Sequence, residues 1–555
     1  MKIHYAPLEE DAREEIERYI SEGSIYADVP ENIYNKNQAR TWYRPEERLQ
    51  AQPGILILTT DALLSSIDGY IKWREGMGYL VKAATKEQIL ASGITGLDLE
   101  EQIRNWLRKN AADYEYLFII ASNDDIPMRT MYGYGNDPNQ DPGWYYPGVT
   151  DIYYGELSRN DAHSWDSDGD GYYGEVLPDG SGPTVDNPDL EMELHVGRIN
   201  TSEPTKVKSI LDKIRKFETT SDQAYKRNAV TSASIPFYKT TDGEGLDGAI
   251  FMEYLQDAEI LDRGLTTTLY EKGGDMPSAY DCDLPETHEN LVSTLKNNNV
   301  GVFVEYNHGS PVSFARFIVH DKNGNGFFES GEEEWFDCLT TGDAWNLNGE
   351  HPNVAFLMSC VNGRPEEKPV CIAQALLNYG SVAVVAHTRV SYSGGWHTPA
   401  NGGFECLFYE DIKAFAHDGI PIGEAVSKAR PVLREKEPQW FFLNGYPHVL
   451  YGDPAMNLVG VPVAAAREPL EPRVCNPLLY ISDSKIVTYD IPAASYIRLE
   501  VWDVSGRKVQ TLYEGYAPSG KRSCGLNPAA LASGTYFLTL RYGSQTCIAK
   551  TVLVH

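Results

Sequence analysis

The chain has 555 residues, 42% of them hydrophobic and 23% charged, a balance that suits a globular protein of two to four domains rather than a disordered one. Its 79 acidic and 48 basic residues give a formal charge of -31, which argues against binding nucleic acid or an anionic membrane surface and is compatible with attracting cations. No apolar run reaches the ~18 residues a membrane-spanning helix needs, and the first residues, Met1-Lys2-Ile3-His4-Tyr5, open no signal-peptide core. The expectation is therefore a soluble chain, with a leader trimmed away rather than a cytoplasmic life.

Residues 1–53 are polar and rich in Arg and Glu, with one helix expected around 9–21. Alternation of strand and helix then begins: strands over 54–60, 79–84 and 116–122, helices over 61–74 and 97–111. Such alternation predicts a parallel sheet with right-handed crossovers. A Gly/Asp/Tyr/Pro-rich stretch over 123–188 reads as a long structured loop, followed by a strand over 193–200 and a helix to about 218 with Ser202 as its N-cap. A second α/β series places strands over 228–234, 300–306, 354–359 and 382–388, and helices over 248–257, 289–298, 369–378, 404–416 and 422–434. Residues 462–477 read as a Pro/Ala/Glu/Arg linker, and 478–555 alternate apolar and polar residues between turns, the pattern of a small all-β sandwich.

Two strand ends carry the chemistry. The run Val300-Gly301-Val302-Phe303-Val304-Glu305-Tyr306 stops at Asn307-His308-Gly309-Ser310, and Val354-Ala355-Phe356-Leu357-Met358-Ser359 stops at Cys360-Val361-Asn362-Gly363. Open parallel sheets bind ligands outside the carboxyl ends of their strands. A thiol of ordinary pKa is mostly protonated at neutral pH, and a neighbouring imidazole raises its thiolate fraction. His308 and Cys360 at one sheet edge thus make a candidate base and nucleophile, with the N–H groups of Gly309 and Cys360 as a candidate oxyanion hole. Taken alone, either residue is more often core packing. Eight cysteines without a C-x-x-C pair spell no zinc or thioredoxin site; Cys282, Cys338, Cys371 and Cys406 read as buried thiols, and a bridge among Cys475, Cys524 and Cys547 is open.

Around these residues the chain resembles the gingipain-type cysteine peptidases, relatives of the caspases. The resemblance rests on Asn307-His308-Gly309-Ser310, Ser359-Cys360-Val361-Asn362-Gly363, Cys371-Ile372-Ala373-Gln374-Ala375-Leu376, the run Val384 to Tyr392, Tyr451-Gly452-Asp453-Pro454, Val196-Gly197-Arg198 and Asp166-Ser167-Asp168-Gly169-Asp170-Gly171. It implies His308 as base, Cys360 as nucleophile and an α/β, caspase-like parallel-sheet region of two side-by-side subdomains, 54–220 and the catalytic 221–461. Where relatives of trypsin-like preference carry a glutamate that supports the histidine, this chain has Ser234, so the third catalytic role is unassigned. An acidic residue for a P1 Arg or Lys falls in the loop 242–247, with Asp242, Glu244 and Asp247 all open; an acidic loop on an acidic protein is equally explained by solvation. Tyr392 or Trp396 can supply an apolar pocket wall.

Two segments read as calcium loops, with hard oxygen donors at alternate positions and glycines at the sharp turn. Asp321, Asn323, Asn325, Phe327 (through its carbonyl) and Glu332 match one, inserted between His308 and Cys360. Asp166, Asp168, Asp170, Tyr172 (carbonyl) and Glu175 form the weaker second; the bland reading of either is an Asp/Gly turn. No redox or organic cofactor is expected. The last domain, with Val504-Ser505-Gly506-Arg507 and Leu531-Ala532-Ser533-Gly534-Thr535-Tyr536-Phe537, resembles sorting domains of secreted bacterial proteins and implies an Ig-like sandwich, a secretion-machinery partner and a secreted or cell-surface location. Residues 1–53 are read as the tail of an inhibitory pro-segment, with Arg40, Arg44 or Arg48 filling the specificity pocket, or as a helix packed on the catalytic region. The expected function is a secreted cysteine endopeptidase acting on protein or peptide substrates. The alternative is a catalytically inactive calcium-binding surface adhesion or scaffold protein on the same fold; a serine hydrolase lacks the Gly-x-Ser-x-Gly elbow.

Overall fold

The computed structural model describes residues 53–132, 148–157, 165–167, 169, 171–174, 186, 188, 190–394, 402–437 and 441–458 and, further on, 479–481, 486–491, 495–503, 507–517, 520–526, 531, 534–542 and 545–553. Arg40, Arg44, Arg48, Asp168, Asp170, Glu175 and Trp396 lie outside them, as do the expected first helix and the linker. The chain divides into two compact units between Val463 and Ala464.

Apolar β-branched runs fix the first unit. Strands β1 (Gly54–Thr59), β2 (Leu80–Thr85) and β3 (Tyr116–Ile120) pair in parallel. A small antiparallel pair, β4 (Arg129–Met131) with β5 (Gly148–Thr150), stands apart within the stretch read as loop. β6 (His195–Ile199) then adds to β3. The second series gives β7 (Ala229–Ala233), β8 (Thr266–Tyr270), the two-residue β9 (Leu284–Pro285) and β10 (Val302–Tyr306). β11 (His308–Ser310), β12 (Ser313–Val319) and β13 (Glu333–Thr340) form a three-stranded antiparallel sheet of their own. β14 (Asn353–Leu357), β15 (Ser381–His387) and β16 (His448–Gly452) complete the main sheet.

The main sheet is one continuous body of eleven strands in the order β2-β1-β3-β6-β16-β15-β14-β10-β7-β8-β9. Two subdomains read from the sequence are therefore joined edge to edge through β6 and β16, which meet at Arg198 and Tyr451. β16 runs parallel to β6 but antiparallel to β15, while the other neighbours are parallel. The strands from β15 onward consequently run opposite to β16 and the first half. Only the second half delivers its carboxyl strand ends to the edge where β10 and β14 stop. Alternate residues of β1 and β3 enter separate apolar clusters, Ile55, Ile57 and Phe118 in one, Leu56, Leu58 and Ile119 in the other, as a sheet covered on both faces requires.

Helix boundaries follow local chemistry. Thr85 closes a capping box with Gln88, and Asp98 caps the helix Leu99–Asn110. Ser202 is not the N-cap expected of it. The helix Pro204–Thr219 starts one residue later, because Pro204 pre-sets the first turn and the Ser202 hydroxyl is engaged by Ser122 and Asp125.

The seam between the halves is held by buried charge. Arg74, fully buried, pairs with Glu218 at 2.7 Å and with Asp453, which also accepts the Tyr70 hydroxyl at 2.6 Å. Arg198 binds Asp151 in a two-pronged pair and donates to the Ala121 and Ile126 carbonyls. Replacing Arg74 with methionine strands two buried carboxylates. Chemical denaturation should register a loss of about 3–5 kcal/mol; a loss under about 1 kcal/mol would show the pair to be replaceable by packing.

The second unit consists of two antiparallel sheets. One joins Leu479–Ile481, Ile486–Ile491 and Gly520–Gly525; the other orders Lys508–Ala517, Ser495–Asp503, Gly534–Tyr542 and Gln545–Leu553. Val487 and Tyr489 of the first share an apolar cluster with Leu499, Val501, Leu538 and Leu540 of the second. Cys524 is a free thiol, so it takes no part in a bridge. Among the described residues, no helix is long and apolar enough to cross a membrane.

Candidate active site

β10 and β14 are parallel neighbours, registered Val302 on Val354 through Glu305 on Leu357, so the turns that follow them emerge side by side. They touch at Gly309. A Cβ built there would lie 2.1 Å from the Cys360 carbonyl oxygen, 2.6 Å from the Cys360 nitrogen and 2.8 Å from Ser359 Cβ. Only a residue without a side chain lets the two turns pack backbone to backbone. Asn362 ties them again, its amide donating to the Ser310 and Ser313 carbonyls at 2.7 and 3.1 Å.

The Cys360 turn is sharp and strained. Val361 has φ +52, a conformation that a β-branched residue adopts at a cost of about 1–3 kcal/mol. It is fully buried, and its N–H donates to the Arg389 carbonyl at 3.0 Å. Gly363 donates to the His387 carbonyl at 2.8 Å and accepts the Tyr451 hydroxyl at 2.6 Å. The runs Val384 to Tyr392 and Tyr451 to Pro454, which carried the family resemblance, thus clamp the cysteine turn from behind.

The thiol donates to the Ser391 carbonyl at 3.7 Å and accepts the Ser391 hydroxyl at 3.6 Å. Burial raises its pKa, the Ser391 contacts oppose this, and the Glu305 carboxyl adds to the rise. His308 sits among Phe237, Phe317 and Trp335, at ring separations of 6.2, 5.5 and 5.1 Å. Burial lowers its pKa, so the imidazole is neutral at neutral pH. Its Nε2 lies 2.9 Å from the Pro236 carbonyl. A carbonyl only accepts, so Nε2 carries the proton and the Nδ1 lone pair is left free to accept one.

Where the sequence leaves a third role unassigned, the structure sets the Pro236 carbonyl against the imidazole. Ser234 is fully buried with its hydroxyl unbonded among the described residues, and the oxygen that meets Nε2 belongs to the backbone two residues on. No side-chain pattern could have revealed a carbonyl. Two residues beyond Ser391, the Ser393 hydroxyl donates to Glu405, which also accepts from the Tyr306 hydroxyl at 2.7 Å and the Gly394 N–H. Glu405 reads from the sequence only as a charge on a helix.

The other candidates are placed as follows. Asp242 and Glu244 are exposed in a hairpin closed by a Phe237–Leu246 bridge, with Glu244 3.5 Å from Lys239. Asp247 is committed to the start of the helix Ala249–Asp257, accepting the Ala249 N–H at 3.0 Å and a Ser278 hydrogen bond. Tyr392 is held by reciprocal bonds between its backbone and the Asn444 amide.

In the loop from Asp321 to Glu332, Asp321 accepts the N–H groups of Gly324, Asn325 and Gly326, and both glycines have positive φ. Glu332 returns to the start of the loop, accepting the Lys322 N–H at 3.0 Å. The loop is the tip of the β12–β13 hairpin. Asp166 likewise accepts from Gly169 and Gly171, and Tyr172 packs edge-on against Tyr132. Among the described residues, no cluster of three or more His, Cys, Asp or Glu side chains is arranged to hold a metal.

Comparison with known proteins follows the same division. A model of peptidase family C25 matches residues 48–459, most of the chain. The chain belongs to peptidase family C25. A second model, the secretion system C-terminal sorting domain, matches residues 482–554. No curated protein matches. The fold of this C25 peptidase is similar to that of the Arg-specific cysteine proteinase gingipain R, with a TM-score of 0.52 at 17% identity over 90% of this chain and 98% of that one. It is also similar to a complex of pro- and mature domains of RgpB from Porphyromonas gingivalis, with a TM-score of 0.50 at 16% identity over 89% and 99%. As a C25 member the chain is a cysteine peptidase, the enzymatic rather than the scaffold reading of its sequence. Its sorting domain ties it to a secretion system and to a secreted or cell-surface location.

Proposed function

We propose that the chain is a secreted endopeptidase in which Cys360 attacks the peptide carbonyl while His308 Nδ1 takes the thiol proton and returns it to the leaving amine. Water then hydrolyses the thioester and regenerates the thiol. The reading is supported above all by the backbone contact of Gly309 with Cys360, which brings the turns bearing base and nucleophile to one place. The Gly309 and Cys360 N–H groups would hold the oxyanion. In the resting arrangement the thiol points to Ser391, so substrate binding must turn it toward the imidazole. With burial lowering the histidine, the acid limb of kcat/KM is expected below pH 6.5.

A preference for Arg or Lys at P1 is part of this proposal. It draws support from Asp242 and Glu244, exposed on a hairpin whose first residue, Phe237, packs on His308. A peptide library should return cleavage after basic residues; cleavage only after apolar or acidic residues would overturn the preference.

Structural calcium in the loops at 321 and 166 is a second part. Asp321, Asn323, Asn325, the Phe327 carbonyl and Glu332 form an oxygen donor set that the folded-back loop can converge on one ion. Calcium should raise the melting temperature by a few degrees, about 1–2 kcal/mol of linkage at tenfold excess over Kd. Glu332→Gln should reduce that rise. An unchanged melting temperature with calcium would reject the sites.

A further inference from the structure

Beneath the two catalytic turns lies a buried polar chain that the mechanism above does not use. Its centre is Glu305, a single acid in the otherwise apolar strand β10 and fully buried. A carboxyl there is costly unless its oxygens are bonded. Both are: the Ser359 hydroxyl lies 2.7 Å from each, and the Asn307 amide donates to Oε2 at 3.1 Å. Ser359 immediately precedes Cys360, and Asn307 immediately precedes His308. One side chain thus grips the residue before each catalytic group. Glu305 also anchors the pair through its backbone, its carbonyl accepting the Met358 N–H at 3.0 Å.

The chain continues away from the thiol. The Cys338 thiol donates to the Asn307 side-chain oxygen Oδ1 at 3.9 Å, and Asn307 also bonds Glu286, whose carboxyl accepts the Ser232 hydroxyl at 2.5 Å. The titratable groups facing this cluster are Glu286 and the ion-paired Glu271 and Arg316, 2.6 Å apart, with the Cys338 and Cys360 thiols beside it. Burial pushes Glu305 and Glu286 up to about 8 each, so near neutral pH they are largely protonated. A protonated carboxyl both donates and accepts, which suits a strut between a hydroxyl and an amide.

We propose that Glu305 is a positioning residue: by binding Asn307 and Ser359 at once, it sets the spacing between His308 and Cys360. The role rests on the peptidase reading. Its energy is spent on alignment of reacting groups, so its loss should appear in kcat rather than KM.

The test compares peptide turnover by the wild-type chain, Glu305→Leu, Glu305→Gln and Ser359→Ala, with thermal melting as a fold control. Glu305→Leu should lower kcat by about tenfold or more with KM kept within about twofold, and Glu305→Gln should recover at least about fivefold of that loss. Ser359→Ala cuts only the cysteine side of the strut and should lower kcat by about three- to tenfold at an unchanged melting temperature, which decides the matter if Glu305→Leu does not fold. Wild-type kcat in Ser359→Ala and Glu305→Leu overturns the role, as does a loss that tracks melting temperature and moves KM equally. A wild-type chain that cleaves no peptide overturns the peptidase reading and this role with it; a cleaving wild type with indifferent variants overturns the role alone.

Discussion

Cys360→Ala is expected to lower peptide turnover by about 10⁴-fold or more, because the thioester of the proposed mechanism forms on its sulfur. The folded state should survive: the thiol's side-chain partners are the Ser391 carbonyl and hydroxyl, which can re-pair locally. Turnover and melting temperature measured on one preparation check both halves. Activity within about tenfold of wild type would remove Cys360 as nucleophile. None of the other described cysteines offers an alternative on this edge. Cys338, Cys371 and Cys406 are buried away from solvent, whereas Cys360 is partly exposed and can meet a substrate.

Gly309→Ala is the second large effect, and it follows from contact rather than chemistry. The added methyl would meet the Cys360 carbonyl oxygen at 2.1 Å and its nitrogen at 2.6 Å, backbone atoms that no rotamer change can move aside. The turns must part by roughly an ångström, and misplacement on that scale costs about 100-fold in rate. Overpacking should also cost about 1–3 kcal/mol of stability. Kinetics and denaturation of Gly309→Ala check the two numbers; wild-type kcat would mean that the turns do not need this spacing. The Val361 conformation adds to the point, since strain beside the nucleophile persists only where the surroundings hold it.

Much of this was legible from residue order alone. Apolar runs ending in Asn307-His308-Gly309 and Ser359-Cys360 are strands by composition, and the α/β alternation predicts their parallel pairing. The reversal of sheet direction at β15–β16 was not legible, because the period of an apolar strand says nothing of its direction. The β12–β13 hairpin does not announce itself in the sequence: Glu333 to Asp337 mixes charge with aromatics and gives no clean alternation. At the site, a candidate base and a candidate nucleophile can be named from residue type. The Pro236 carbonyl and the Ser391 carbonyl could not, being backbone atoms brought in by the fold. Glu305 lay between the two cases. A lone acid in a buried strand is a visible anomaly, but its partners Asn307 and Ser359 become neighbours only when β10 and β14 pair.

The most direct test of the central claim is covalent labelling of the folded chain with a peptidyl electrophile bearing arginine at P1, the modified residue located by peptide mass spectrometry. The account predicts one adduct, on Cys360, formed with saturation kinetics and strongly slowed by His308→Ala. An unlabelled Cys360 in a folded chain, or labelling confined to the half-exposed Cys282 or Cys524, would contradict it.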